Sequence, residues 1–194
     1  MILSNVEIQK ALDEKRLIIV PEPAPRTPDS ENDCPYQTTS VDLRLGNEIS
    51  WMKDDAPFSI NLNRGKFAAL FSQHSESCAI TKEQPFELKP NKFVLAKTKE
   101  RVSLPLDHAG PFLSARVEGR SSYARCGLLV HFTAPTIHAG FAGNITLEII
   151  NLGSVPILLY PDSYICQLIV ETVEGAPFRN DSQFQGQAKA GGGP

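Results

Sequence analysis

Polar and apolar positions follow two different periods along this chain. At the N-terminus, Leu3-Ser4-Asn5-Val6-Glu7-Ile8 carries a complete helix start. Ser4 is the N-cap, Glu7 its capping-box partner, and Leu3 with Ile8 the hydrophobic staple. These predict a short helix over about 5–15. Pro21, Pro23, Pro25, Pro28 and Pro35 follow closely, removing backbone donors and fixing φ, so 21–37 reads as a loop or extended arm. From Ser40 the period becomes two. Val41, Leu43 and Leu45 fall on one side, and Ser40, Asp42 and Arg44 on the other.

Further short runs rich in β-branched and aromatic residues lie at 92–98, 110–119, 127–134, 144–151, 155–160 and 163–173. Turn signals separate them, among them Pro90-Asn91, Gly110-Pro111, Gly153 and Pro161-Asp162. Six or more short strands at such spacing predict an all-β sandwich or jelly roll, and no internal repeat is visible. We read 1–179 as one β domain and the polar, Gly-rich 180–194 as a mobile tail.

Composition narrows the functional classes. The 194 residues carry a formal net charge of −3 with basic residues scattered, so no electrostatic footprint for nucleic acid is present, and an anionic ligand needs a local basic site. No apolar run is long enough for a membrane helix and MILSNVEIQK lacks the features of a signal peptide. The expectation is a cytoplasmic protein with no membrane partner. Cys34, Cys78, Cys126 and Cys166 form no CxxC pair and read as buried reduced thiols. His74-Ser75-Glu76 spells the HxE of zinc-dependent nucleobase deaminases, but the PCxxC that completes such a site is absent. The expectation is chemistry without zinc.

Two places concentrate reactive side chains. Arg116, Glu118, Arg120, Ser121, Ser122 and Arg125 lie between apolar runs. Gly119-Arg120-Ser121-Ser122 offers a flexible backbone, two hydroxyls and a guanidinium suited to phosphate oxygens, and it also reads as a solvated loop of mixed charge. Glu148 is the second. Alternation over 144–150 puts Ile145, Leu147 and Ile149 on one face and Thr146, Glu148 and Ile150 on the other. Burial there favours the neutral acid while a nearby arginine favours the carboxylate, a tension that suits proton transfer. An ordinary exposed sheet face is the competing reading.

Several motifs carry a resemblance. SVDLRLG (40–46), GRSSYARCGL (119–128), HFTA (131–134), GFAGNITLE (140–148) and ICQL (165–168), with the MILS start, FELKP (86–90) and TKERVSLP (98–105), resemble the dCTP deaminase branch of the dUTPase superfamily. The order and spacing match over nearly the whole chain. The resemblance implies a homotrimer of distorted jelly rolls (a β-clip) with active sites at subunit interfaces and a C-terminal tail closing over nucleotide. It implies hydrolytic deamination of dCTP to dUTP and ammonia, which feeds dTMP synthesis. Mg²⁺ would be held mainly by the triphosphate, and dTTP is a candidate inhibitor.

Carried over by residue, Glu148 takes a proton from the attacking water and passes it to the leaving amine. Ser121 and the Ala134 carbonyl hold the water and the amino group, and Arg125 orients Glu148. Arg120, Ser121 and Ser122 bind the triphosphate, with His138, Phe141 and Thr146 also on the nucleotide. In the tail, Gln183 and Gln187 fall on phosphate positions, and Phe178 is placed near the base. The chain departs from the family where His138 replaces the aspartate that touches deoxyribose and activates water in dUTPases. Gln183 replaces a lysine, Thr136 a basic or bulky residue, and the 21–37 arm is atypical. A histidine is a poor substitute for an acidic base beside a polyanion, so weak or absent dUTP hydrolysis is expected. Competing readings are a dUTP diphosphatase or bifunctional enzyme, a non-catalytic nucleotide sensor, and a structural jelly roll.

Overall fold

In the structure, a computed structural model describing residues 1–29, 33–54, 59–61, 63, 71 and 73–178, the helix forms where its cap is. Helix α1 spans Asn5–Asp13, with Ser4 Oγ accepting from the Glu7 backbone N–H at 3.3 Å. It stops short of residue 15 because Lys15 takes a left-handed φ of 56°. Leu3, Ile8 and Ala11 are buried, and Leu3 N–H donates to the Val170 carbonyl, seating the helix on the sheet.

The remainder is antiparallel β structure. Its strands are β1 (Ile18–Val20), β2 (Tyr36–Gln37), β3 (Ser40–Met52), β4 (Ser75–Ala79), β5 (Phe86–Leu88) and β6 (Phe93–Ser103). These are followed by β7 (Phe112–Gly119), a single helical turn α2 (Ser121–Ala124), β8 (Leu128–Val130), β9 (Thr136–Ile137), β10 (Ala142–Asn151), β11 (Ile157–Leu159) and β12 (Tyr164–Val173). The main sheet runs β8-β10-β6-β3-β12-β7-β9, with β1 added to β6 and both β2 and β4 to β3; β11 and β5 form a separate pair. The sheet curls so that its ends approach: a Cβ on Gly119 of β7 would lie 3.7 Å from Val130 of β8. The concave side holds a core that includes Leu43, Leu45, Ile49, Leu147, Ile149 and Leu168.

Several expectations are corrected. The run 127–134 is a strand only over Leu128–Val130, because His131 adopts φ 53° and turns the chain out, leaving Phe132 to Ala134 exposed. The run 155–160 shortens to Ile157–Leu159. Strands β1, β4, β5 and β9 carried no period-two signal; β4 (SESCA) is mostly polar and follows β3 as an outer partner, with Ile49 opposite Cys78. The side of β3 carrying Ser40, Asp42 and Arg44 is not a solvent face, since Ser40 and Asp42 are buried. On that side Gln37, Gln167 and Arg120 close over Asp42. Among the four free cysteines only Cys166 is buried; Cys126 is exposed and Cys34 and Cys78 are intermediate.

The Pro-rich arm, where described, is pinned. Arg26 pairs with Asp13 at 2.8 Å and Glu22 at 2.6 Å, and its carbonyl accepts from Gln9 Nε2 at 2.7 Å. Cys34 Sγ approaches the Pro25 carbonyl, and the buried Tyr36 begins β2. Among the described residues no helix is long and apolar enough to cross a membrane.

Candidate active site

Alternation along β10 is realised in full: residues 143, 145, 147, 149 and 151 are buried and the intervening ones half-buried. Glu148 is thus presented from mid-strand with its side chain 29% exposed. Its register is held by Leu95 of β6 on one side. On the other side β8 pairs only from Leu128 to Val130, and the last contact is His131 N–H to the Glu148 carbonyl at 2.7 Å. There the chain leaves β10, so Glu148 stands where the sheet opens.

The turn at that opening brings a partner that sequence reasoning gave no role. His131 is 7% exposed and its Nδ1 lies 2.6 Å from Glu148 Oε2, at ion-pair distance without the alignment of a hydrogen bond. The signal available in sequence was a histidine directly after an apolar strand. From His131 the chain crosses to the far end of the sheet, where the Pro135 carbonyl accepts from Val117 N–H and Ile137 pairs with Ala115. Ala134 lies exposed on this crossing. Beyond it, Gly140 at φ 88° makes the turn that returns to β10, with Gly140 N–H on the Leu104 carbonyl and Phe141 N–H on the His138 carbonyl. His138 is exposed on that turn. The Phe141 ring, expected on the nucleotide, packs against the core.

The GRSS segment forms the other half. Arg120 is the extended N-cap of α2, and Ser121, Ser122 and Arg125 are exposed. The turn ends at Gly127, φ 88°, whose carbonyl accepts from Leu152 N–H. Asn151, fully buried, holds the facing loop by donating to the Leu88 and Val155 carbonyls and accepting from Gly153 N–H. Arg120 reaches back into the sheet, 3.6 Å from Asp42 Oδ2, and donates to the Tyr164 carbonyl at 3.4 Å. Burial pushes the Tyr164 phenol up, with Arg44 opposing.

Within one chain, no hydrogen bond or ion pair among the described residues joins Ser121, Ser122 or Arg125 to Glu148. Arg125, expected to orient Glu148, makes no contact with it within this chain among the described residues; the side chain beside Glu148 is His131. Thr146 shares the half-buried face of β10 with Glu148. Phe178 is 87% exposed. Gln183 and Gln187 lie outside the described residues. Among the described residues no group of three or more His, Cys, Asp or Glu side chains could hold a metal ion.

Residues 2–173 match the family model described as dCTP deaminase-like. A protein named dCTP deaminase, dUMP-forming, from Methanosphaera stadtmanae is 38% identical over 193 residues, covering 96% of this chain and 89% of its own. A protein of the same name from Dictyoglomus turgidum is 41% identical over 168 residues, covering 87% and 78%. Among solved structures, the 2′-deoxycytidine 5′-triphosphate deaminase from Agrobacterium tumefaciens superposes with a TM-score of 0.60 at 20% identity, over 87% of this chain. The match spans 47% of that longer chain, and at this identity the likeness concerns the fold. The relatives' names specify dUMP, so they do not support dUTP as the released product.

Proposed function

The chain belongs to the dCTP deaminase-like family, and from that premise we propose that it deaminates dCTP hydrolytically and carries the nucleotide on to dUMP. The observation that carries this reading is Glu148, a half-buried carboxylate at the sheet opening with a histidine against one oxygen. In the first step water adds to C4 of cytosine as Glu148 takes its proton. The same proton passes to the exocyclic nitrogen, the C–N bond breaks, and ammonia leaves as the uracil carbonyl forms, the water's other proton ending on N3 of the ring. A second water displaces pyrophosphate at the α-phosphorus. The balance is dCTP and two waters to dUMP, ammonia and pyrophosphate.

Ser121 and the Ala134 carbonyl hold the attacking water and the amine, while Arg120, Ser122 and Arg125 supply cationic and hydroxyl donors to the phosphates. Mg²⁺ arrives with the triphosphate as part of the substrate. Thr146 and His138 face the nucleotide; going on to dUMP, as the relatives' names specify, runs against the weak hydrolysis expected from His138 and requires its imidazole to accept the second water's proton. The separation of Ser121 and Arg125 from Glu148 within one chain favours a site shared between subunits, as in the homotrimer implied by the resemblance. In the tail, Gln183 and Gln187 are assigned to the phosphates.

The test is incubation with dCTP, CTP, dCMP and dUTP while ammonia and pyrophosphate are followed separately. Both products are expected from dCTP, and Glu148→Gln should abolish ammonia release while retaining nucleotide binding. Binding of dCTP with no ammonia from any cytosine nucleotide would instead make the protein a sensor. Ammonia without pyrophosphate would make dUTP the product and put the defect at His138.

A further inference from the structure

We propose that Asp42, held by Gln37 and Gln167, is the positioning residue for the Arg120 guanidinium; this rests on the phosphate-binding role proposed above for Arg120. The Asp42 side chain is 3% exposed, and among the described residues it meets only donors. Gln167 Nε2 donates to Oδ1 at 3.0 Å, Gln37 Nε2 to Oδ2 at 3.3 Å, and Arg120 Nη2 stands 3.6 Å from Oδ2. Asp42 N–H donates to the Pro35 carbonyl at 2.8 Å, which fixes the carboxylate from behind. On its other side the guanidinium meets the Tyr164 carbonyl at 3.4 Å and lies 5.6 and 5.9 Å from the ring centroids of Tyr123 and Tyr164.

This is an over-determined seat for a long side chain. Four segments converge on it: the end of the Pro-rich arm at β2, the start of β3, the middle of β12 and the cap of α2. An arginine free in solvent loses rotamer entropy when a ligand immobilises it. Anchoring it beforehand moves that loss from binding to folding. The contacts engage Nη1 and Nη2 and leave the remaining N–H donors, on a side chain 30% exposed, for an anion. As a stability element the pair is weak, since the contact is loose and the arginine partly exposed. The Pro-rich arm thereby gains a function: clasped by Arg26, it delivers Gln37 and the Pro35 carbonyl to Asp42.

The test uses a neutral change first, because removing the Asp42 charge by itself also relieves repulsion of an anion. Gln167→Leu should raise the KM for dCTP about fivefold with kcat within about twofold, and weaken binding of inorganic tripolyphosphate by the same factor. In an Arg120→Gln background, Gln167→Leu should add less than about twofold. There Asp42→Asn should be neutral or tighten tripolyphosphate binding, whereas with Arg120 present it should weaken it. Equal losses in both backgrounds would overturn the proposal, because Gln167 or Asp42 would then touch the ligand itself or merely maintain the fold, the latter visible as a matching fall in melting temperature. If Arg120→Gln alone leaves both KM and tripolyphosphate affinity unchanged, the phosphate role of Arg120 fails and the proposal with it. That outcome is distinct from a normal Arg120 effect without coupling to Gln167, which sinks only the positioning role.

Discussion

Replacing Glu100 by Gln should destabilise the protein more than the loss of an ordinary ion pair would. Glu100 is fully buried, and its two oxygens serve one residue: Oε2 accepts from the Arg44 backbone N–H at 2.8 Å and Oε1 from Arg44 Nε at 2.6 Å. The adjoining β3–β6 pair is Leu45 with Thr98, and the ladder shifts register beyond it; Arg44 pairs with Tyr164 of β12, and on its β6 side a side chain takes the place of strand pairing. A carboxamide must turn its NH₂ toward one of these two donors, leaving it unpaired, and it strips the counter-charge from Arg44. Breaking a buried pair costs about 3–5 kcal/mol; because the Arg44 side chain is 25% exposed, we discount this to about 2–3 kcal/mol. At about 2–4 °C per kcal/mol for a chain of this size, the melting temperature should fall by roughly 5–10 °C. Calorimetry measures this directly, and Trp51, packed 5.5 Å from Phe86, offers a fluorescence probe for urea unfolding. A fall below about 2 °C would refute the reasoning, which rests on an orphaned buried donor and a naked guanidinium. The double variant Arg44→Met with Glu100→Leu should recover much of the loss, since apolar replacement of both partners removes both penalties.

Three further outcomes follow from the geometry. His131→Phe keeps a flat ring, somewhat larger, but removes the imidazole nitrogens from Glu148, and deamination kcat should fall about tenfold or more, with a changed pH–rate profile and KM within a few-fold; an unaltered profile would show that His131 does not act on Glu148. Gly127→Ala places a methyl against the backbone of Gly153 and forces φ 88° on a residue with a Cβ. It should lower stability by about 2 kcal/mol or more, read from urea midpoints, while a neutral result would mean the 151–153 loop yields freely. Burial, followed by the Glu22 charge, pushes the Tyr36 phenol above its ordinary value. The unfolded chain therefore releases that proton first, so the stability it contributes is present below about pH 10 and is lost as pH rises beyond it. Tyr36→Phe should flatten the alkaline decline of the melting temperature, and an unchanged slope would assign the decline elsewhere.

Much of the frame was legible because its signals are local. The cap at Ser4 set where α1 begins, and the alternation over 144–150 set which β10 side chains turn inward. Strands without such alternation were missed. SESCA at 75–79 becomes a strand because the long β3 offers it an edge, as Ile49 opposite Cys78 shows, and not because its own residues favour one. The burial of Ser40 and Asp42 on the polar side of β3 is not legible in its alternation, for a related reason. Its cover comes from β2, β12 and Glu100, residues whose arrival depends on how the whole sheet curls.

The same division holds at the site. From sequence alone came the reactive side chains and their family setting: Glu148 in a strand, GRSS in a turn, and His138 and Gln183 as departures. Only the tertiary structure decided which groups touch. It put His131 on Glu148 through one left-handed residue at the end of β8, and it kept Arg125 apart from Glu148 within the chain. It also joined Gln37, Asp42, Arg120 and Gln167 across separations of up to 125 residues. Helix caps and strand alternation are set by neighbours a few residues away. Contacts between groups are set by register, bulges and curvature, which are properties of paired strands rather than of any one segment.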